Sequence, residues 1–298
     1  MNLKMKTLAA AVIATAAVST ANANSLLFPY FTTVNGAQSV LSLTSNVTTP
    51  VHYVYNYGSS CTHFDGFGAL TANDVIQHSI MAPAAGGFGM AVAGDGSTPF
   101  YMPLATDGFL VVTNTVGAAT NALRGEMVIA DAATGIMTAY TPVDNALDTS
   151  AAGKKRGNEG DFSAIVDSAF RMTFYPDVVA DTSWYAVVVG DMNAAIAAGA
   201  DWTGATTWTT AAAAYDNDEN AFSGVMSDTI TCSGTIDRDD LLNSAQAASI
   251  NDGGLVLNTF GAYAAGATGV VLTKMQTVLP AVGAPFAGTT FLTREVAN

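Results

Sequence analysis

Charged residues are scarce in this chain, and basic residues are the scarcest. Asp, Glu, Lys and Arg make up 11% of the 298 residues, and 24 acidic against 10 basic residues give a formal net charge of −14. Such an acidic chain repels nucleic-acid phosphates and anionic lipid headgroups, so we expect no nucleic-acid partner. Hydrophobic residues make up 50% of the chain, which is enough to form a core and excludes general disorder.

Cysteine is also rare, since the sequence holds only Cys61 and Cys232. Two cysteines in an exported protein usually pair. Both follow strand-like sequence, so we expect a disulfide that ties the first third of the chain to the last third and favours one domain. In the chain-entropy model, a bridge closing so long a loop stabilises the fold by about 4–5 kcal/mol.

The apolar run nearest the N-terminus is shorter than the roughly 20 residues that a membrane helix needs. Lys4 and Lys6 precede this run, Leu8–Val18, and the small-residue pattern Ala21–Ala23 comes after it. This order predicts a secretory signal peptide over residues 1–23. We expect cleavage after Ala23 and export to the periplasm, the cell surface or the extracellular space. We expect no transmembrane segment after cleavage.

Alternating polar and apolar residues dominate the rest of the chain. The stretch Ser39–Cys61 predicts two strands joined by a turn, because Leu41 and Leu43 share one face of the first strand. Many further short runs end at Gly, Pro or Asn. The sequence therefore predicts a mainly β protein, an antiparallel β-sandwich or jelly roll with long loops, as a single domain over 24–298.

Three segments depart from the strand pattern. Ile236–Ala247 predicts a helix capped by Asp237. We expect one or two short helices in the whole chain. A polar loop is expected near 146–160. An insertion rich in Ala, Trp and Thr is expected near 191–215, because Trp202–Ala214 shows no clean period.

Catalytic signatures are lacking as well: the sequence has no G-x-S-x-G elbow and no H-E-x-x-H motif. Cys61, His63 and Asp65 lie at alternate positions, so their side chains could contact one metal ion. In an exported protein, however, Cys61 is better explained as half of a disulfide. His52 and His78 fall inside predicted strands, which favours structural roles. We therefore expect no enzyme and no cofactor other than a calcium ion.

The richest polar cluster is Asp216-Asn217-Asp218-Glu219-Asn220. Oxygens of Asp216, Asp218 and Asn220 match the first half of a calcium-binding loop. The match then fails, because the sixth position is Ala221 instead of Gly and the twelfth is Ser227 instead of Glu. The alternatives are a Ca²⁺ site and a solvated acidic turn.

Five stretches carry a resemblance to other proteins: SLLFPYFTT (25–33), VHYVYNY (51–57), CTHFDGFG (61–68), RGEMVIADAATG (124–135) and TITCSGTIDRDDLL (229–242). In these stretches the chain resembles a loosely defined group of uncharacterised exported β-rich proteins of Gram-negative bacteria. The resemblance implies an exported β fold and transfers no functional residue.

Three functions are compatible with these features. The first is a non-enzymatic structural or surface protein that self-assembles into a layer or filament. The second is an exported binding module, either for glycan with Trp184, Trp202 and Trp208 as aromatic platforms or for calcium-dependent adhesion. The third, a hydrolase or metal enzyme, requires His63 or His78 to converge with carboxylates.

Overall fold

The computed structural model describes residues 25–81, 92–93, 106–114, 123–131, 136–145, 160–278, 289–295 and 297. Within these residues the first half of the chain contains β1 (Ser25–Thr32), β2 (Gln38–Ser45), β3 (Thr49–Tyr57), β4 (Thr62–Leu70), β5 (Val75–Met81), β6 (Val92–Ala93), β7 (Asp107–Asn114), β8 (Leu123–Asp131), β9 (Ile136–Tyr140) and β10 (Val143–Asp144).

The second half contains β11 (Ala169–Phe174), β12 (Ala180–Gly190), β13 (Ala205–Asp216), β14 (Ala221–Ser223), β15 (Ser227–Thr231), β16 (Ser233–Asp237), β17 (Gly254–Ala264), β18 (Ala267–Val278) and β19 (Thr289–Arg294). Its helices are α1 (Asn193–Ala198), α2 (Arg238–Leu241) and α3 (Ser244–Ser249), and a short 3-10 turn, Val34–Gly36, lies in the first half.

The described strands form four antiparallel sheets. Sheet I has the order β6-β5-β2-β8-β9, and sheet II has the order β10-β1-β7-β3-β4. Sheet III has the order β16-β12-β18-β19, and sheet IV has the order β11-β17-β13-β14, with β15 also paired to β13. Sheets I and II form an N-terminal sandwich, and sheets III and IV form a C-terminal one, which confirms the predicted mainly β sandwich class.

Three apolar layers separate the four sheets. The first, between sheets I and II, includes Leu41, Tyr53 and Met127. The last, between sheets III and IV, includes Trp184 and Phe260. Each layer collects every second side chain of its strands, as period-two alternation requires.

The middle layer joins the two sandwiches and buries the second face of both inner sheets. Sheet II supplies side chains such as Val54 and Val111, and sheet III supplies Tyr185 and Val187. Strands buried on both faces read as continuous apolar runs instead of alternating ones. That explains the sequences FLVV in β7 and WYAVVV in β12, which are buried along almost their whole length.

The disulfide Cys61–Cys232 lies in this middle layer, and it confirms the sequence prediction. Its Cα atoms are 6.0 Å apart, and both residues are at most 1% exposed. Cys232 is also the residue at which the chain leaves β15 of sheet IV for β16 of sheet III, with a left-handed φ of 63°. In the C-terminal sandwich, the chain passes from sheet IV to sheet III at Cys232. The disulfide therefore ties this point to Cys61, which lies between β3 and β4 of the N-terminal sandwich.

The hairpin predicted over Ser39–Cys61 is wrong, although both of its strands are present. β2 pairs with β5 and β8 in sheet I, whereas β3 pairs with β4 and β7 in sheet II. The connection at Asn46–Thr48 therefore passes from one sheet to the other. Alternation predicts a strand and its buried face but not the neighbour with which it pairs.

The insertion expected near 191–215 is wrong for its second half, because Ala205–Asp216 is β13 and lies inside sheet IV between β17 and β14 or β15. The helix expected at Ile236–Ala247 is also wrong in its bounds. Ile236 and Asp237 end β16, and the extended Leu242 separates α2 from α3. The Asp240 carboxylate accepts a hydrogen bond from the Asp237 N–H, so the N-terminal position of Asp237 is confirmed.

Two further expectations fall outside the described residues: the signal peptide at 1–23, and the polar loop near 146–160 apart from Gly160. Among the residues that are described, none of the helices has the length and apolar character needed to cross a membrane.

Removing the disulfide should destabilise both sandwiches together. We expect Cys61→Ala and Cys232→Ala each to lower the free energy of unfolding by about 2–5 kcal/mol, since the lost bridge spans 171 residues. The double variant should be little worse than either single one, because each change removes the same cross-link. Denaturant unfolding of the three variants measures this, and additive losses would contradict a shared bridge.

The buried His78 should make stability fall in mild acid. Its ring lies in the first apolar layer, where burial lowers its pKa from 6.5 to about 4. Between these values the unfolded chain binds a proton that the folded chain does not, so stability is lost as pH falls from about 6.5 to 4. The shift corresponds to a loss of about 3 kcal/mol.

Urea unfolding of the wild type and of His78→Gln between pH 7 and pH 4 checks this expectation. At pH 7 the variant should have a lower free energy of unfolding than the wild type. Its free energy of unfolding should also fall less between pH 7 and pH 4. Equal slopes for the two proteins would mean that another group titrates.

Candidate functional site

A line of histidine and aspartate side chains runs along the edge of sheet II, where the N-terminal sandwich meets a loop of the C-terminal one. His63 and Asp65 lie on β4, the end strand of sheet II in the described part of the chain. Their spacing of two places both side chains on one face. His52 lies on the neighbouring β3, and Asp201 lies in the loop between α1 and β13.

The four side chains form a continuous chain of polar contacts. His52 Nε2 lies 3.0 Å from Asp65 Oδ1, and Asp65 Oδ2 lies 3.5 Å from His63 Nε2. His63 Nδ1 lies 2.7 Å from Asp201 Oδ1, which also accepts a hydrogen bond of 3.0 Å from the His63 backbone N–H. His63 therefore connects β4 to the α1–β13 loop through both its ring and its backbone.

Local structure positions Asp201 for this contact. Helix α1 is followed by Gly199, whose left-handed φ of 58° is the conformation in which helices commonly stop. The chain turns there, and Asp201 comes two residues later. Trp202, next in sequence, is buried in the middle layer and donates a hydrogen bond of 2.9 Å to the Val188 carbonyl. A buried neighbour on one side and a helix end on the other hold Asp201 over β4.

The electrostatics of the line are set by these contacts. Hydrogen bonds from the His63 ring and then from the His63 backbone hold the pKa of the Asp201 carboxyl below its usual range. Burial, and after it the nearby Asp201 charge, raises the pKa of Tyr57. Side-chain exposure is lowest at His52, with 9%, intermediate at Asp65 and His63, with 29% and 20%, and highest at Asp201, with 47%. The line therefore runs from a buried end to a solvated end.

An exposed aromatic ring extends the same face of β4. Phe67 stacks on His52, with ring centroids 4.4 Å apart and an angle of 6° between the ring planes. This contact is a result of the strand register, which places His52 directly opposite Phe67. Since His52 is held by Asp65, the carboxylate also orients the aromatic ring indirectly.

The metal site considered as an alternative at Cys61, His63 and Asp65 does not match this geometry. Cys61 is in the disulfide, and the two ring nitrogens of His63 face different carboxylates. Within the described residues, no group of three or more His, Cys, Asp or Glu side chains is arranged to hold a metal ion. The enzyme alternative required a histidine to converge with carboxylates. His63 does so on the rim of the fold, whereas His78 lies in the first apolar layer.

The calcium candidates Asp216, Asp218 and Asn220 lie in the turn between β13 and β14. Asp216 Oδ1 accepts hydrogen bonds from the backbone N–H groups of Asp218 and Asn220, at 3.0 and 2.8 Å. Its Oδ2 accepts a bond of 2.8 Å from the Asn220 side chain, and these contacts lower the pKa of Asp216. Both oxygens of the Asp216 carboxylate therefore accept hydrogen bonds from residues of the same turn. Calcium binding here stays a prediction.

The three tryptophans are not aromatic platforms, so that prediction is wrong. Trp184, Trp202 and Trp208 are all buried in the apolar layers. Trp184 hydrogen-bonds Glu295 through its indole nitrogen at 3.3 Å. These large rings fill the space between stacked sheets, and their burial stabilises the fold. Buried rings cannot stack on a saccharide at the surface.

Asp201 should contribute stability that depends on pH. Because the pKa of its carboxyl is lowered in the fold, its contribution is present above pH 3.8 and is lost as pH falls below that value. Since Asp201 is largely exposed, we expect Asp201→Asn to cost less than about 1 kcal/mol at pH 6. The difference from the wild type should vanish near pH 2.

Denaturant unfolding at both pH values measures the effect, with Asp218→Asn in the exposed β13–β14 turn as the matched control. A double-mutant cycle with His63→Gln should show coupling at pH 6. Independent, additive effects of the two substitutions would contradict a contact between them.

Comparison of the chain with protein-family models, with curated proteins and with solved structures found no match. The functional argument therefore rests on the residues and their geometry.

Proposed function

We propose that the mature chain is an exported, non-enzymatic structural or surface protein that assembles with copies of itself into a layer or filament. The predicted signal peptide and the buried disulfide support export, because disulfides persist in oxidising compartments. The stacked sandwiches support a structural role, since the cross-link and the shared apolar layer make a single durable block.

The outer face of sheet IV is the observation that carries self-assembly. Thr207 on β13 and Thr229 on β15 are cross-strand neighbours with hydroxyl oxygens 3.2 Å apart, and Thr209 and Ser227 form a second such pair at 3.1 Å. Thr259 on β17 lies on the other side of Thr209. Five uncharged hydroxyl side chains therefore lie side by side on three strands.

Such a face suits contact with another copy of the chain. In a chain with net charge −14, most surface contacts between copies are repulsive, and a patch without charge is the place where repulsion is weakest. Small side chains also let two sheets approach closely. β15 pairs with β13 on one side, and its other side is not paired to a strand in the described residues, so the patch reaches an open sheet edge.

Placing a charge on this face should weaken assembly. We expect the purified mature protein to sediment as assemblies and to show regular structures by electron microscopy. Thr229→Glu, on the exposed face, should shift it toward monomers, whereas Ala72→Glu in the exposed β4–β5 loop should not. Wild-type protein that stays monomeric both with and without calcium would refute self-assembly.

A further inference from the structure

Phe67 is an exposed aromatic ring whose position is fixed. It is 60% exposed, although most large apolar side chains of the fold are buried. The parallel stack on His52 covers one face of the ring, and His52 is itself buried and bonded to Asp65 at 3.0 Å. A ligand that packs on the open face therefore meets a surface that needs little further ordering, which lowers the entropic cost of binding.

Hydrogen-bonding groups continue from the ring along the same face of β4. Asp65 and His63 precede Phe67 by two and four residues, which places them roughly 7 and 13 Å along the strand. Both side chains are partly exposed, at 29% and 20%. Each carboxylate oxygen has two acceptor positions, so Asp65 retains acceptor capacity beyond its two imidazole contacts.

Asp201 adds an acceptor at the far end of this line. Its contacts to His63 both use Oδ1, and no other described residue is bonded to Oδ2. The side chain as a whole is 47% exposed. The face therefore offers one flat apolar ring and, beyond it, a row of hydrogen-bond acceptors.

We propose that Phe67, Asp65, His63 and Asp201 form a binding site for a neutral saccharide chain. A pyranose ring has a face of C–H groups that packs on an aromatic ring, and hydroxyls on its rim that donate to carboxylates. The next residue on the same face beyond Phe67 is Ala69, which is small and exposed, so the platform is open to an extended chain.

Other ligand classes fit this surface less well. An anionic ligand would meet Asp65 and Asp201 on a chain of net charge −14. An apolar peptide would find one exposed ring followed by the partly exposed carboxylates of Asp65 and Asp201, whereas sites for apolar ligands are lined mainly by hydrophobic side chains. A cation could stack on the open face of Phe67, so a quaternary amine serves as the competing probe.

The site is distinct from the assembly surface. The hydroxyl face belongs to sheet IV, whereas Phe67 lies on the edge of sheet II. One stacked ring and a few exposed hydrogen bonds are consistent with a dissociation constant on the order of 1 mM per site. The proposal therefore stands or falls independently of self-assembly.

Isothermal titration of the full mature chain with cellohexaose, chitohexaose and maltohexaose tests the proposal, with choline as the cationic probe. We expect at least one oligosaccharide to bind and Phe67→Ala to weaken that binding at least tenfold. Phe67→Tyr should retain it, because the platform remains. Asp201→Asn should weaken it about three- to tenfold. Tyr175→Ala is the matched control: it removes another exposed ring, 54% exposed, and should leave binding unchanged.

Thermal unfolding of each variant shows whether it has folded, and Phe67→Ala should fold because the ring is outside the apolar layers. Three outcomes would overturn the proposal: no binding of any of the three oligosaccharides, equal binding by Phe67→Ala, or binding of choline in their place. Loss of assembly in Thr229→Glu with saccharide binding intact would leave the proposal standing.

Discussion

The middle apolar layer is the contact on which the rest of the structure depends. Sheets II and III each present an apolar face to it, with residues such as Phe109 on one side and Val189 on the other. If either sandwich stood alone, that face would meet water, at a cost of about 1.5–3 kcal/mol for each large side chain. The two sandwiches therefore stabilise each other, and the disulfide lies within the layer that they share.

The polar line at His63 and Asp201 is the rim of this layer. Inside the layer the two halves are joined by apolar contacts and by Cys61, and two residues further along the chain they are joined by an imidazole and a carboxylate. The rim can be polar because it borders solvent, where charged groups keep part of their hydration. Its geometry is fixed because the apolar layer beneath it is fixed.

Individual strands and the disulfide could be predicted from the sequence, since alternation and cysteine pairing depend on local pattern and on redox compartment. Pairing could not, as β2 and β3 show: their alternation is clear, yet they lie in different sheets. β13 was missed because its inward positions include Thr206, Thr210 and Ala214, which carry a weak apolar signal. Its many alanines also lower the apparent strand propensity.

The candidate site was harder to predict than the fold. His63 and Asp65 are close in sequence, but Asp201 lies 138 residues from His63, and nothing local links them. The stack of His52 and Phe67 depends on the register of β3 and β4, which local pattern does not determine. The prediction for the tryptophans was wrong because residue type indicates stacking ability, whereas burial decides its use.

The separation of the two bridged cysteines has a consequence for biogenesis. At synthesis rates of roughly 5–20 residues per second, Cys61 leaves the ribosome about 10–35 seconds before Cys232, 171 residues later. Every strand of the N-terminal sandwich precedes Cys232 in the chain. The strands of that sandwich are therefore complete before the chain supplies Cys232, which pairs with Cys61, and before it supplies the last strands of sheet III, which covers sheet II. An N-terminal sandwich formed before residue 232 arrives would expose the apolar face of sheet II and an unpaired Cys61 thiol.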